Sequence, residues 1–330
     1  MSTFQLFCSV LLVSLVSCAH GASSLSRERA ETLGATAQVS LCVLDEFMQV
    51  VSNADVEVYF SRAVREGKTV KGKSCSTGKF EASGKTTGDI LVNVNAHGYY
   101  PTSEKIDLAC DTSRAVENGR WLPSVIETNI VLRKIGTPVK LLTPRWSTDF
   151  LIPRGGVPMG LDLDRQDWVK PWGKGEVADF EVLYESDGKK RSEYSGAKLT
   201  LRFVRPFDGA YLRKMDMGSK LHTCHSADTN GIFRQEFLFS EERGHDRRFV
   251  RNVMGKDEYL VLRTRSKTDS EGRFVGGRYS MIVGGISFGW CHEAFGFLGF
   301  KSFVNPTFND PNLEEINIYN TPNFRAIGGR

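Results

Sequence analysis

The 330-residue chain has no run of about twenty apolar residues, the length a helix needs to cross a bilayer. No stretch reads as a transmembrane helix. Charge of one sign is also missing: 43 Lys and Arg against 39 Asp and Glu leave a net +4 with both signs interspersed. That balance gives no footprint for nucleic acid or another polyanion, and the densest basic group, Arg247, Arg248 and Arg251, reads as a solvated turn. Histidine is scarce at 6, and none follows His292. No convincing helical period runs through the N-terminal half, and no alternation of strands with helices marks a parallel α/β sheet. These absences weigh against an α/β hydrolase.

What is present begins with an apolar run from Phe4 to Val16 followed by small residues. The run is too short to span a membrane and carries the marks of a signal peptide over residues 1–21, although no Lys or Arg precedes it. Ala19-His20-Gly21 has the small-x-small form for cleavage. Leu15-Val16-Ser17-Cys18 also has the form of a lipobox, in which Cys18 is lipidated and becomes the mature N-terminus. Both routes lead to export, with the protein periplasmic, at the cell surface or secreted. A lipid on Cys18 is the one membrane attachment the sequence offers. Export permits disulfides. Five cysteines lie beyond residue 21, so at least one thiol stays free or pairs between chains.

From Ala37 the hydrophobic period is two. Val39, Leu41 and Val43 alternate with polar neighbours; Val56, Val58 and Phe60 repeat the pattern; Ile90, Val92 and Val94 follow a Thr87-Gly88-Asp89 turn. This is the signature of half-buried strands in an antiparallel sandwich. Beyond a proline-rich stretch at 135–158, read as a linker with one extended segment, further strand candidates occur at Phe180–Tyr184, Leu199–Val204, Phe233–Phe239, Tyr259–Arg265 and Tyr279–Phe288. The expected fold class is all-β: a sandwich over 37–134, then a β-rich domain over 159–330. The closing FVNPTFNDPNLEEINIYNTPNF is expected to lie across the surface.

The order VSLCVLD, NADVEVYF, TTGDILVNVNAHGYY and IVLRK resembles the carboxypeptidase regulatory-like domain, a transthyretin-like β-sandwich found in many exported bacterial proteins. The resemblance covers Ala37 to Lys134. It is interrupted by an insertion-like loop around Cys75 and an excursion from Cys110 to Trp121. That family has no chemistry of its own, so the resemblance implies architecture and a spacer or binding role. GVPMGLDLDRQDWVKPWGKGEVADFEV with FVNPTFNDPNLE resembles, more loosely, uncharacterised secreted proteins of the Planctomycetes type, which imply no function.

Several constellations invite chemistry. Gly285-Ile286-Ser287-Phe288-Gly289 spells the nucleophile elbow, which requires a strand, a sharp turn, a helix and a downstream acid and histidine. Glycines and aromatics follow Ser287 instead of a helix, and it is expected to be inert on the outward face of a strand that buries Ile286 and Phe288. His222, Cys224, His225, Cys291 and His292 have zinc- or copper-compatible donors, but their intervals follow no metal-binding frame. A Cys224–Cys291 disulfide is the preferred reading, with Cys75–Cys110 as a companion bridge and Cys42 as a strand thiol. Asp162, Asp164 and Asp167 miss the EF-hand pattern, and alternation puts Asp162 and Asp164 in solvent with Leu161 and Leu163 inside. Asp162 and Asp167 are also candidates for a glycosidase pair, which is defined by separation in space. Phe295, Phe297, Phe300 and Phe303 read as core, whereas Trp168 and Trp172 read as an exposed aromatic pair suited to a ligand.

No catalytic residue and no cofactor emerge from this. The expected function is an exported, non-catalytic binding or structural protein of the cell envelope, with an envelope protein or a carbohydrate as partner. The alternative is a secreted polysaccharide hydrolase using the carboxylates of Asp162–Asp167.

Overall fold

A computed structural model describes residues 26–63, 66–111, 113–143, 148–187, 192–244 and 249–315. The signal segment with Cys18, the pair Arg247-Arg248, Pro144 and the end of the C-terminal stretch lie outside them. The protein is mostly β, with one short helix at 26–33 and several antiparallel and mixed sheets. It divides into two compact units: 1–135 with Gly218–Lys220, and 136–330 without that tripeptide. Among the described residues no helix is long and apolar enough to cross a membrane.

The first unit contains β1 (Ala35–Asp45), β2 (Asp55–Phe60), β3 (Lys68–Lys73), β4 (Lys79–Thr86), β5 (Asp89–Asn95), β6 (Thr102–Asp107), β7 (Val116–Glu117), β8 (Arg120–Trp121) and β9 (Ile126–Leu132). One sheet has the order β3-β2-β5-β6; the other joins β4, β1, β8 and β7, with β9 also on β1. The period-two pattern does what alternation requires. Val39, Leu41, Val43, Val56, Val58, Phe60, Ile90, Val92 and Val94 are all buried in one core. The sandwich is not wholly antiparallel, because β9 lies parallel to β1.

Neither expected interruption is an irregular insertion. The stretch before Cys75 is strand β3, whose lysines mark it as a protected sheet edge. The stretch before Trp121 holds the β7–β8 ribbon, closed by Asn118 and Gly119 with φ of 49° and 72°, the left-handed pair a tight hairpin turn demands. Trp121 is buried at its end, and its Nε1–H donates to Thr86 O at 3.1 Å. The helix at 26–33, which no period revealed, buries Ala30 and ends where Gly34 N donates to Ala30 O.

The second unit holds β10 (Thr148–Ile152), β11 (Met159–Asp162), β12 (Asp167–Trp168), β13 (Phe180–Ser186), β14 (Gly196–Arg202), β15 (Gly209–Lys214), β16 (Glu236–Arg243), β17 (Phe249–Asn252), β18 (Glu258–Thr268), β19 (Phe274–Gly289) and β20 (Gly296–Val304). A six-stranded sheet, β12-β11-β13-β14-β16-β17, and a five-stranded one, β10-β20-β19-β18-β15, share a core containing Ile152, Leu161, Phe180, Val182, Leu199, Leu262, Ile282 and Leu298. The five-stranded sheet buries its opposite face too, around Tyr259, Val261, Met281 and Phe303. The one extended segment expected within 135–158 is β10, which pairs with β20 and buries Phe150 and Ile152. After β20 the chain runs exposed over residues 306–309, as expected, and then turns inward. Asn305, Leu313, Glu314 and Glu315 are buried, and the two glutamates accept from Gly136 N and Leu141 N at 2.8 and 2.9 Å.

The expected disulfides are not formed. None of Cys42, Cys75, Cys110, Cys224 and Cys291 is bridged to another cysteine. Cys75 lies at the start of β4, its N–H donating to Lys79 O, whereas Ala109, beside Cys110, packs on Gly88 past the end of that strand. The eight residues of β4 span roughly 25 Å at ~3.3 Å per residue, while a disulfide needs Cα atoms within about 7 Å. Cys224 packs with Met281 and Val283, and Cys291 lies beyond the far end of β19. All five cysteines are expected to react with a maleimide in denaturant without reductant, as read by mass spectrometry. Two that resist until reduced would show a bridge.

Candidate functional site

The acidic string Asp162–Asp167 is the tip of the β11–β12 hairpin, where Asp162 stands directly opposite Asp167. The expected burial of Leu161 and Leu163 holds, but Asp162 is not in solvent: it is 2% exposed. Its Oδ1 accepts from the backbone of Asp164 (3.0 Å) and Arg165 (3.2 Å), and its Oδ2 from Glu176 N (2.9 Å) and Val177 N (3.1 Å). Arg265 Nη2 adds a fifth bond at 2.9 Å. Gly175 is required here, because a Cβ would come within 2.9 Å of Asp162 Cβ and of Asp167 O.

Arg265 arrives from the other sheet. It sits on a bulge in β18, with φ of 52°, where the β18–β19 register shifts between Thr264 and Lys267. Asp208, itself buried, fixes that bulge by accepting from Arg265 N (3.1 Å) and Ser266 N (2.8 Å). The guanidinium then meets Asp179 through Nε (2.8 Å) and Nη2 (2.9 Å), and Asp164 through Nη1 (2.7 Å). Asp179 also accepts from Leu163 N at 2.8 Å, and Arg278 binds Asp164 Oδ2 from β19. Three carboxylates and two guanidiniums thus close one end of the shared core.

The electrostatics suit structure better than proton transfer. Burial pushes the Asp162 carboxyl up, but the N–H groups of Glu176, Val177 and Arg165 and the charge of Arg265 outweigh it, and the net shift is downward. A general acid needs the opposite. Burial raises Asp208 against the hydrogen bonds it accepts, yet both its oxygens serve the backbone. Asp167 caps the following turn, accepting from Trp168 N (2.8 Å) and Lys174 N (2.9 Å).

The aromatic expectations divide. Trp168 is 4% exposed, donates Nε1–H to Leu151 O at 2.8 Å and meets Phe150 edge to face, so it is core and not a ligand platform. Trp172 is partly buried against the same cluster. The cause is the hairpin register, which sets Trp168 opposite inward-facing Leu161. Phe300 and Phe303 are buried, on opposite faces of β20; Phe295 is 45% exposed, because it precedes the strand. Ser287 is exposed between buried Ile286 and Phe288, as the strand period requires, and donates to Gly299 O at 3.2 Å within the β19–β20 pair. No helix follows it.

The five metal-candidate residues do not meet. Cys224 belongs to the cluster around Met281, and His225 Nε2 lies 3.9 Å from Glu314. Cys291 and His292 follow the far end of β19, where His292 packs edge-on to Trp290. Among the described residues no three His, Cys, Asp or Glu side chains form a metal-holding group. The signal missed in sequence was Arg265: its carboxylate partners are 86 to 103 residues away, and only the sheet pairing unites them.

No family model matches the chain, and no curated protein matches it. Among solved structures it is similar to 3-chlorocatechol 1,2-dioxygenase from Rhodococcus opacus 1CP, at 9% identity and a TM-score of 0.26, over 32% of this chain and 62% of that one. It is similar to catechol 1,2-dioxygenase from Acinetobacter radioresistens at 14% identity and a TM-score of 0.24, over 31% and 53%. The dioxygenase domain of a carbohydrate-binding fusion from Streptomyces sp. SirexAA-E gives 13% and 0.24, over 32% and 83%. The match thus spans about three fifths of the first enzyme and about a third of this chain.

Removing the Arg265 guanidinium strands Asp162 and Asp179, each 3% exposed in its side chain. Arg265→Met is expected to cost ~3–5 kcal/mol of unfolding free energy in urea. Arg202→Met, at a half-exposed pair with Glu236, is expected to cost less than ~1 kcal/mol. The pH dependence follows from the sign at Asp162. Its folded pKa is depressed, so its contribution is present above the unfolded value of about 3.9 and is lost as pH falls through the folded one. The melting-temperature gap between wild type and Asp162→Asn should therefore narrow below about pH 4.

Proposed function

We propose that this protein is an exported, non-catalytic binding or structural protein of the cell envelope, its first unit a carboxypeptidase regulatory-like sandwich. The observation that carries the reading is the fate of the carboxylates that a hydrolase would need. Asp162, Asp164, Asp167 and Asp179 are occupied by backbone N–H groups and by the guanidiniums of Arg265 and Arg278. An acid held ionised by four amides and an arginine has no proton to give to a leaving group. Ser287 turns its hydroxyl to a neighbouring strand's carbonyl.

Export rests on residues 1–21 and on the lipobox form around Cys18. Protein recovered from its native host should lack residues 1–21, or 1–17 with a lipid on Cys18, by intact mass. The non-catalytic reading is tested by incubating the full chain with a polysaccharide panel and a fluorophosphonate probe. No reducing ends and no label on Ser287 are expected. Release of reducing ends that disappears in a folded Asp167→Asn variant would establish the hydrolase instead.

A further inference from the structure

The first unit carries a polar outer sheet face that its core does not explain. One side of the β3-β2-β5-β6 sheet packs inward through Val56, Val58, Ile90, Val92 and Val94. The other side holds an open groove of about 570 Å³. Two cross-strand rows build it: Lys71, Glu57, Asn93 and Ser103 in one, Lys73, Asp55, Asn95 and Pro101 alongside. We propose that this groove binds a short, neutral saccharide, which gives the binding role inferred above its ligand class and rests on that reading.

Charge is the first discriminator. The groove has two acids and two lysines, and each lysine sits on the acid directly across from it: Lys71 on Glu57 at 3.1 Å and Lys73 on Asp55 at 3.0 Å. The face is therefore locally neutral, and an ionic ligand would have to displace a pair before gaining one. Hydrogen-bonding capacity is the second. The Asn95 side chain makes no hydrogen bond among the described residues, and Asn93 uses only its carbonyl oxygen, accepting from Ser103 Oγ at 2.7 Å. Amide groups that both donate and accept match vicinal hydroxyls, which do the same. The apolar remainder is the Pro101 ring and the lysine stems, which suit the C–H face of a sugar ring. An apolar ligand finds no enclosed pocket here. A peptide strand added to the sheet would meet the β3 edge, guarded by Lys68, Lys71 and Lys73.

The test titrates the full chain calorimetrically with cellohexaose, mannohexaose, N-acetylchitohexaose and a heparin hexasaccharide, alongside Asn93→Ala/Asn95→Ala. Both asparagines are exposed, so the variant should melt with the wild type. Saturable binding of at least one neutral hexasaccharide, weakened tenfold or more in the variant, is expected. Failure of every neutral probe to bind at millimolar concentration would overturn the proposal, as would binding unaffected by the double substitution or preference for heparin. Release of shorter sugars during titration would instead overturn the non-catalytic reading, and it is scored separately by chromatography.

Discussion

The second unit depends on a guanidinium held between two sheets. Arg265 leaves β18 at a bulge and reaches Asp162, Asp164 and Asp179, which belong to the hairpin and connection around β11–β13. A charge with only 19% of its side chain exposed is tolerable only when its donors are matched by acceptors. Here Nε, Nη1 and Nη2 all find carboxylate oxygens. The carboxylates are matched in turn by backbone N–H groups that are otherwise orphaned in tight turns. The network thus satisfies the irregular backbone of the hairpin tip and joins the two sheets at the end of their shared core.

That arrangement explains why the bulge exists. A regular β18 would alternate faces through residue 265. The extra residue and left-handed φ at Arg265 swing its side chain back toward the other sheet. A non-glycine residue in that conformation is strained, and Asp208 holds it there through two backbone bonds. Asp208 is raised by burial while Asp162 is lowered, so the two carboxylates pull stability in opposite directions with pH. Asp162 contributes least in acid; the penalty for Asp208 fades there, because its raised pKa favours the protonated form in the folded state.

Where the chain stays inside a strand, the sequence was readable. Val39, Leu41 and Val43, or Ile286 and Phe288 around Ser287, obey a local period that needs no knowledge of the partner strand. The same rule failed at Asp162 because β11 ends there and the chain turns; Trp168 reads as part of a proline-glycine turn, and its pairing opposite Leu161 buries it. Past a strand end alternation has no authority, and the turn's N–H groups and the guanidinium decide which way the carboxylate points. The β7–β8 ribbon was legible and missed: Asn118-Gly119 is a strong hairpin signal, hidden inside what reads as an excursion. The cysteines were not legible at all. Whether two thiols can meet depends on which end of a strand each occupies, and composition and compartment carry no such information.

The second unit's acid–arginine network and the first unit's outer sheet face use polar groups differently. In the second, acids and arginines are drawn into the fold, hydrogen-bonded and closed to exchange. In the first, buried Asp45 and Ser74 likewise serve backbone groups, while the outer face of β3-β2-β5-β6 carries polar groups in register, paired by charge but with amides to spare. A carboxylate that holds five donors in place is not free to change its protonation during a reaction without loosening what it holds. An amide on a pleated, exposed face can exchange water for a ligand hydroxyl at almost no cost to the core beneath it. Fold-bound and solvent-facing polar groups are the same residue types in this chain; what separates them is whether the fold needs their hydrogen bonds.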